Sequence, residues 1–517
     1  MNLKRMHHAA GLSAMALSVA LLQACGGSGG NTAGLNIPGI TPTVSGTVTG
    51  FGSVIVDGQE LEDAYARIAH ENADGSLTNE VLQMGQRVRV DHDGSGKASQ
   101  VLIDAAVIGL VSTKGVNTLK VAGQVVTVNT DSTLGPVTVF GGGYTNLSSV
   151  ALNDLVQVHG SPVYDSTSNS YKVQATRIQK DLGAARVQVN GKVTGYALTS
   201  TGASFALNGL TVNTTSTTAV RPSGTSLAND LQVTVYGNGL SGNVLTAQNI
   251  RVNRDQNSGN TTMQAQLSGA VSNYVASTGT FEVQGTRVKL GTATVEPAGA
   301  SVANNAYVML KGSVASDGSI TATQIKVRTA DTANDLAKVE LIGVISDFVD
   351  SAHFMVRGVP VDASSVVFAT ACPSVTPAND LSVRVLATQQ SGTAVVKATR
   401  IECKPTLKTQ LIRPLDGTVA MVDAAGKSFS LTVGSTAQSV QWTDSTTFVG
   451  LTADTLSGKS VRVEGYLSGT VLMARVVRLD DDVATADARN PELDDKQFRR
   501  PRQSKDQAQG WQQYGLN

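Results

Sequence analysis

The stretch Gly269–Val327 decides the fold of this 517-residue chain. It holds four short phrases in a fixed order: Gly269-Ala-Val271, Val283-Gln-Gly285, Val308-Met-Leu-Lys-Gly312 and Ala322-Thr-Gln-Ile325. Alternating apolar residues are typical of half-buried strands, and x-Gly pairs supply the positive φ angles of tight hairpins. The stretch therefore predicts a small β unit.

The same phrases occur six times between Val44 and Leu479, and their opening glycines lie 63, 82, 78, 74 and 74 residues apart. Self-similarity of this kind indicates repeated structural units. Five or six short strands per unit favour a small closed or nearly closed barrel, because closure removes exposed strand edges. We therefore expect an all-β protein of six tandem five- or six-stranded β-barrel modules, arranged as beads on a string.

The repeats divide the chain into nine segments. The six modules, numbered 1 to 6 in chain order, are expected at 44–106, 107–181, 187–254, 265–329, 338–404 and 411–479. A leader at 1–24 and a flexible tether at 25–43 precede them, and a tail at 480–517 without apolar periodicity is expected to be disordered. Module 1 carries a polar insert between Glu60 and Glu80 that has room for a short helix.

The N-terminus has the features of a bacterial lipoprotein leader. A basic start, Met1-Asn-Leu-Lys-Arg5, precedes an apolar run from Ala9 to Leu22, and Leu22-Gln-Ala-Cys25 resembles a lipobox. The resemblance implies lipid attachment, palmitate included, at Cys25, and the absence of Asp after Cys25 favours the outer membrane. The alternatives are an ordinary signal peptide with a chance cysteine and a failed membrane helix.

Composition excludes some classes of function. The chain has 40 basic and 40 acidic residues, and without Lys4 and Arg5 the balance is 38 to 40. A general nucleic-acid binder needs a basic surface, so no nucleic-acid partner is expected. No cofactor or catalytic motif is expected either, because the sequence has no nucleophile elbow, P-loop or metal-ligand spacing.

The repeated phrases resemble the domain of unknown function 5666, found in bacterial envelope lipoproteins. The resemblance covers most of the chain and implies small OB-like β-barrels in the cell envelope. It transfers no catalytic residue. Module 5 departs from the pattern at Ala387, which stands where the phrases of modules 2, 3, 4 and 6 end in glycine, and the turn expected there is in doubt.

Two further groups of residues are candidates for local chemistry. Cys372 and Cys403 remain once Cys25 is lipidated, and in an oxidising compartment they favour a disulfide over two free thiols. Asp91, Asp93 and Ser95 place oxygens at alternate positions, as the start of a calcium loop does, but a hairpin turn needs the same Asp-Gly and Ser-Gly pairs. Both interpretations of this segment stay open.

The aromatic residues that recur before the hairpin glycines, at Phe205, Phe281, Phe354 and Phe429, are interpreted as core residues rather than a stacking platform.

The function expected from the sequence is a non-catalytic, lipid-anchored envelope protein that acts as a multi-module binding or structural array. Its expected partners are the membrane, through the anchor, and an envelope protein or glycan. The alternative is a calcium-dependent accessory protein or enzyme that uses loops of modules 1 and 2. Single-stranded nucleic-acid binding, a third hypothesis, depends on fold analogy alone.

Overall fold

The computed structural model describes residues 42–480, apart from 64–65, 166–167, 169, 182, 184–185, 254–263, 316, 330–337, 374, 380, 390–394, 404–412, 434–435 and 469–470. The expected leader, Cys25, most of the tether and all but the first residue of the tail lie outside the described residues. Within the described residues the chain forms 39 strands, three 3-10 turns and one short helical turn. Within them, no helix has both the length and the hydropathy needed to span a lipid bilayer.

The first three modules contain strands β1 to β22. Module 1 has β1 Thr43–Phe51, β2 Val54–Val56, β3 Gln59–Leu61, β4 Arg67–Glu71, β5 Leu77–Asn79, β6 Arg87–His92 and β7 Ala98–Ile103. Module 2 has β8 Val107–Lys114, β9 Thr118–Val121, β10 Gln124–Val128, β11 Val139–Gly141, β12 Leu155–Asp165 and β13 Ser170–Lys180, with 3-10 turns Ser132–Leu134 and Leu147–Ser149. Module 3 has β14 Val187–Lys192, β15 Thr194–Thr199, β16 Gly202–Leu207, β17 Leu210–Asn213, β18 Ala219–Arg221, β19 Gln232–Gly237, β20 Leu240–Ser241, β21 Val244–Thr246 and β22 Asn249–Val252.

The last three modules contain strands β23 to β39. Module 4 has β23 Gln264–Val275, β24 Thr280–Val283, β25 Thr286–Lys289, β26 Thr294–Glu296, β27 Tyr307–Val314 and β28 Ile320–Val327. Module 5 has β29 Lys338–Asp350, β30 His353–Val356, β31 Val359–Asp362, a helical turn Phe368–Ala371, β32 Ser382–Gln389 and β33 Val396–Cys403. Module 6 has β34 Arg413–Asp423, β35 Ser428–Val433, β36 Thr436–Gln441, β37 Thr447–Val449, a 3-10 turn Ala453–Thr455, β38 Ser460–Ser468 and β39 Val471–Leu479.

Module 4 shows how each barrel closes. Strand β23 pairs with β24, β24 with β25, β25 with β28 in parallel, β28 with β27, and β27 returns to β23. The same circuit closes modules 2, 5 and 6. The prediction of an all-β protein of tandem small barrels is confirmed. The four recurring phenylalanines are buried, as expected of core residues.

The hairpin between the second and third strands of a module uses two consecutive residues with positive φ. In module 1 these are Asp57, with φ 46°, and Gly58, with φ 84°. A two-residue turn of this kind matches the right-handed twist of the flanking strands. The corresponding pairs in the next four modules are Ala122 and Gly123, Asn208 and Gly209, Gln284 and Gly285, and Arg357 and Gly358.

The glycine that ends the Val-x-Val-x-Gly phrase has a different role from the one expected. In module 6 the strand continues through Gly465 with a β-bulge, and does not turn there. A Cβ atom on Gly465 would lie 2.1 Å from the carbonyl oxygen of Met473, so the glycine permits close approach of the two backbones. In module 5 the strand also bulges, between Leu386 and Ala387, and continues to Gln389.

Module 5 differs from the other modules in the segment that lies beside its last strand. In the other modules a short extra strand, such as β26 or β37, pairs in parallel with the last strand. In module 5 the helical turn Phe368–Ala371 occupies this part of the chain, and Cys372 forms a disulfide with Cys403 at the end of β33. The predicted disulfide is confirmed, and it joins the segments that the extra strand joins elsewhere.

The modules follow one another in sequence as expected, but they differ from separate beads. The first half of β1 pairs in parallel with β23 of module 4, and its end pairs in parallel with β29 of module 5. Strand β8 of module 2 pairs with β14 of module 3. Modules 1 and 5 share one apolar core, and modules 2 and 3 share another. A strand at the edge of a sheet leaves a row of backbone N–H and C=O groups unpaired. Pairing with a strand of another module provides partners for these groups, which is the physical reason for the association.

Candidate functional site

The polar insert of module 1 forms strands instead of the suggested short helix. Strand β4 pairs with β5 and, in parallel, with the last strand of the module. From there the insert reaches two distant modules. The Glu71 carboxylate lies 2.5 Å from the guanidinium of Arg251 in module 3. The Asn79 amide donates to the carbonyl oxygens of Asp444 and Thr446 in module 6, at 2.9 and 3.2 Å.

These contacts surround a cavity of about 1040 Å³. Its walls come from four modules: the insert of module 1, the ends of β12 and β13 in module 2, strands β14, β19 and β22 in module 3, and the segment around β37 in module 6. Concave sites between structural units are preferred places for ligand binding. This cavity is therefore the candidate functional site.

The module 1 wall contains a histidine and a carboxylate in contact. His70 Nδ1 lies 2.8 Å from Glu80 Oε2. Burial disfavours the imidazolium, but the hydrogen bond and charge of Glu80 outweigh burial and raise the pKa of His70. Burial likewise opposes ionisation of Glu80, yet the hydrogen bond and charge of His70 hold the pKa of Glu80 below its ordinary value. The two groups therefore favour a charged pair.

A second ionic group lies where modules 1 and 3 meet. Arg251 Nη2 lies 3.4 Å from Asp104 Oδ1, and Arg87 donates a short hydrogen bond to the same carboxylate. Burial alone would raise the pKa of Asp104, but the two arginines outweigh it and lower this pKa to about 2. Opposite charges at this distance stabilise the ionised carboxylate, so the group is a fixed ion-pair network between modules.

Next to the cavity, module 2 contributes two fully buried groups. Arg177 donates to the backbone oxygen of Met84 at 3.1 Å, and burial lowers the pKa of this arginine to about 9. His159 is opposite Arg177 on the neighbouring strand, and neither of its ring nitrogens has a hydrogen-bond partner among the described residues. Burial lowers the pKa of His159 to about 3, so the ring is neutral at physiological pH.

The candidate calcium residues lie in a hairpin turn away from this cavity. Asp93 Oδ1 accepts hydrogen bonds from the Ser95 amide at 2.8 Å and the Lys97 amide at 3.1 Å, and Ser95 Oγ also donates to Asp93. Asp91 Oδ1 lies 3.3 Å from Arg89 Nε. The turn accounts for the Asp-Gly and Ser-Gly pairs, and no group of three His, Cys, Asp or Glu side chains in the described ranges is arranged to hold a metal ion. The calcium site stays a prediction.

Sequence reasoning missed the residues that form the cavity. The insert of module 1 attracted notice because it is polar and irregular, and it does supply Glu71, Asn79 and Glu80. Arg251 and Tyr236, on the opposite wall, lie in phrases that look like ordinary repeat strands. Arg251 is distinguished only by its partners Glu71 and Asp104, which lie 180 and 147 positions away, and no local pattern encodes such a distance.

Comparison with protein families supports the repeat assignment. The model of the Domain of unknown function (DUF5666) matches residues 190–251, 268–326 and 416–478, which correspond to modules 3, 4 and 6. The search of curated proteins found no match.

Proposed function

We propose that this chain, a repeat protein of the DUF5666 domain family, is a non-catalytic binding protein of the bacterial cell envelope. The observation that carries the proposal is the formation of one cavity by four modules, which the insert of module 1 contacts on two sides. A cavity built by several modules requires a fixed arrangement of those modules. The modules then act together on one ligand, instead of adding weak contacts one by one.

The ionisable groups around the cavity support a binding role rather than catalysis. The carboxylates of Glu71, Glu80 and Asp104 each contact an arginine or histidine that neutralises them. Such pairs join modules 1 and 3 or stay within module 1, as structural ion pairs do. Perturbed pKa values also arise in structural networks, so these values alone do not indicate an active site.

The anchor is the second part of the proposal. Lipid on Cys25, preceded by the lipobox-like Leu22-Gln-Ala, would hold the protein at the outer membrane. Two outcomes of cell fractionation test it. The wild-type protein is expected in the outer-membrane fraction, and Cys25→Ala is expected in the soluble fraction or unprocessed. A Cys25→Ala protein that fractionates like wild type would refute the anchor.

The binding role has its own test. Cross-linking in intact cells, followed by isolation of the anchored protein, is expected to recover a specific envelope component. A matched Glu71→Ala, Asn79→Ala double variant loses the contacts of the insert with modules 3 and 6, and is expected to lose that component while remaining anchored. Equal recovery with both proteins would contradict a role for the cavity.

A further inference from the structure

The charged groups that line the cavity between modules 1, 2, 3 and 6 are paired. The lining includes four basic residues, Lys180, Arg186, Arg251 and Arg478, four acidic residues, Glu71, Glu80, Asp104 and Asp181, and His70, which pairs with Glu80. They are paired with each other or with nearby groups, for example Arg186 with Asp181 at 2.6 Å. A charged ligand would therefore meet charges that already have ionic partners within the protein. The lining therefore favours a neutral ligand.

The uncharged part of the lining is rich in groups that both donate and accept hydrogen bonds. Eight carboxamide side chains line the cavity: Asn72, Asn79, Gln83, Gln157, Gln179, Gln188, Asn238 and Gln248. A carboxamide offers an NH₂ donor and a carbonyl acceptor. Six of the eight already make a side-chain hydrogen bond within the chain, so a ligand would meet their remaining donors and acceptors and the side chains of Asn238 and Gln248. A sugar hydroxyl also donates and accepts, so these groups complement a ligand that carries hydroxyls.

One group on the module 3 wall is open to such a ligand. Tyr236, Asn238 and Gln248 lie together, because the Gln248 amide donates to the Tyr236 carbonyl oxygen at 2.9 Å. The side chains of these three residues make no hydrogen bond within the described part of the chain, and those of Asn238 and Gln248 are exposed. The Tyr236 phenol is protonated at neutral pH and can donate, and burial raises its pKa further, to about 12.

The module 6 wall adds an aromatic ring. Phe448 is half-buried, and the Trp442 ring packs against it edge-on with 6.2 Å between the ring centroids. The contact with Trp442 fixes the orientation of Phe448 without covering it entirely. An aromatic face presents an apolar surface to the C–H groups of a sugar ring, while hydroxyls at the ring's edge remain free for the amides.

We propose that the cavity binds a neutral oligosaccharide, with Tyr236, Asn238 and Gln248 bonding its hydroxyls and Phe448 stacking on one ring. This inference rests on the proposed binding function and adds the chemical class of the ligand. The volume of about 1040 Å³ lies just above the range of about 300–1,000 Å³ usual for small-molecule sites, so the cavity has room for more than one ring.

The experiment is a glycan array that carries neutral, acidic and amino-sugar oligosaccharides, probed with the full chain and followed by titration calorimetry on the best neutral glycan. Tyr236→Phe removes only the hydroxyl and is expected to weaken binding about tenfold. Phe448→Ala is expected to weaken it at least as much. The matched control is Tyr274→Phe, a half-buried tyrosine of module 4 outside the cavity lining, which is expected to bind like wild type.

Three results would overturn the inference. They are the absence of binding to any neutral glycan, a preference for charged glycans, and binding that Tyr236→Phe and Phe448→Ala leave unchanged. Binding of acetyl-tetra-alanine amide in place of the glycans would assign the cavity to peptides instead. If glycans fail while cross-linking still recovers a Glu71- and Asn79-dependent envelope component, the oligosaccharide inference falls and the binding function stands.

Discussion

Tyr307 of module 4 donates a hydrogen bond of 3.0 Å to the Asp57 carboxylate of module 1, across 250 positions of sequence. Asp57 also accepts from the Thr47 amide at 2.8 Å, within its own module. It is the first residue of the positive-φ hairpin pair that recurs through the chain. The same position in module 5 is Arg357, whose guanidinium lies 5.9 Å from the ring centroid of Phe51 in module 1. In modules 1 and 5 the first residue of this turn therefore contacts another module.

The first prediction concerns this contact. Tyr307→Phe removes the hydroxyl that bonds Asp57 and leaves a buried carboxylate oxygen with one partner fewer. We expect the free energy of unfolding to fall by about 1–3 kcal/mol, measured by urea denaturation at pH 7. Tyr274→Phe, whose hydroxyl makes no hydrogen bond in the described part of module 4, is expected to change it by less than about 0.5 kcal/mol. Equal effects of the two substitutions would contradict the assignment.

A second prediction tests the junction of modules 1 and 5. A Cβ atom on Gly50 would lie 2.4 Å from the carbonyl oxygen of Glu340 on β29. Gly50→Ala is therefore expected to separate β1 from β29 and to cost about 1–3 kcal/mol. Hydrogen exchange in the segment 339–342 should become faster. Gly239→Ala is the control, because no atom lies within 4 Å of the position of its Cβ atom. This substitution should leave both the unfolding free energy and the hydrogen exchange unchanged.

The disulfide gives a third prediction. Cys372 and Cys403 are 31 positions apart, and closing a loop of this length stabilises a protein by about 3–4 kcal/mol in the chain-entropy account. The double variant Cys372→Ser, Cys403→Ser is expected to lower the stability of module 5 by that amount. A reducing agent should lower the melting temperature of the wild type and leave that of the double variant unchanged. If the reducing agent lowered the melting temperature of both proteins, the loss of stability would not come from this disulfide, and the prediction would be contradicted.

A fourth prediction concerns the titration of two histidines. In the folded protein the pKa of His70 is raised above 6.5 by Glu80, against the effect of burial, and burial lowers the pKa of His159 to about 3. NMR is expected to show His70 titrating above pH 6.5 and His159 remaining neutral to about pH 3. Glu80→Gln should lower the pKa of His70, whereas Glu62→Gln, outside the contacts of His70, should not. An unchanged His70 pKa in Glu80→Gln would refute the pairing.

The two pKa shifts determine how the unfolding free energy changes with pH. The His70 contribution is fully present below its unfolded pKa of 6.5 and is lost as pH rises through the higher folded value. His159 has the opposite sign. The unfolded chain protonates it below pH 6.5 and the folded chain does so only near pH 3, so stability falls as pH drops through this window. His159→Gln is expected to flatten the dependence of the unfolding free energy on pH between about 6.5 and 3.

The local architecture could be predicted because it repeats. Alternating valines and x-Gly pairs have the same physical role in every copy, so strands, hairpins and core phenylalanines follow from the pattern. The role of Gly465 was misread because a glycine needed for close backbone approach at a bulge looks the same in sequence as one needed for a turn. Module contacts such as Asp57 with Tyr307 and Glu71 with Arg251 involve residues that do not recur. Their partners depend on how the modules pack, which a repeat pattern does not contain.

The joining of modules around module 1 is the central claim, and small-angle X-ray scattering of residues 42–480 in solution tests it most directly. A joined assembly of this length is expected to have a radius of gyration of about 22 Å, from the scaling for compact chains. Six separate barrels in a row, each sized by the same scaling, would give roughly 40 Å or more. A value near 22 Å, increased by Gly50→Ala and not by Gly239→Ala, is the predicted result. A value near 40 Å for the unmodified chain would contradict the account.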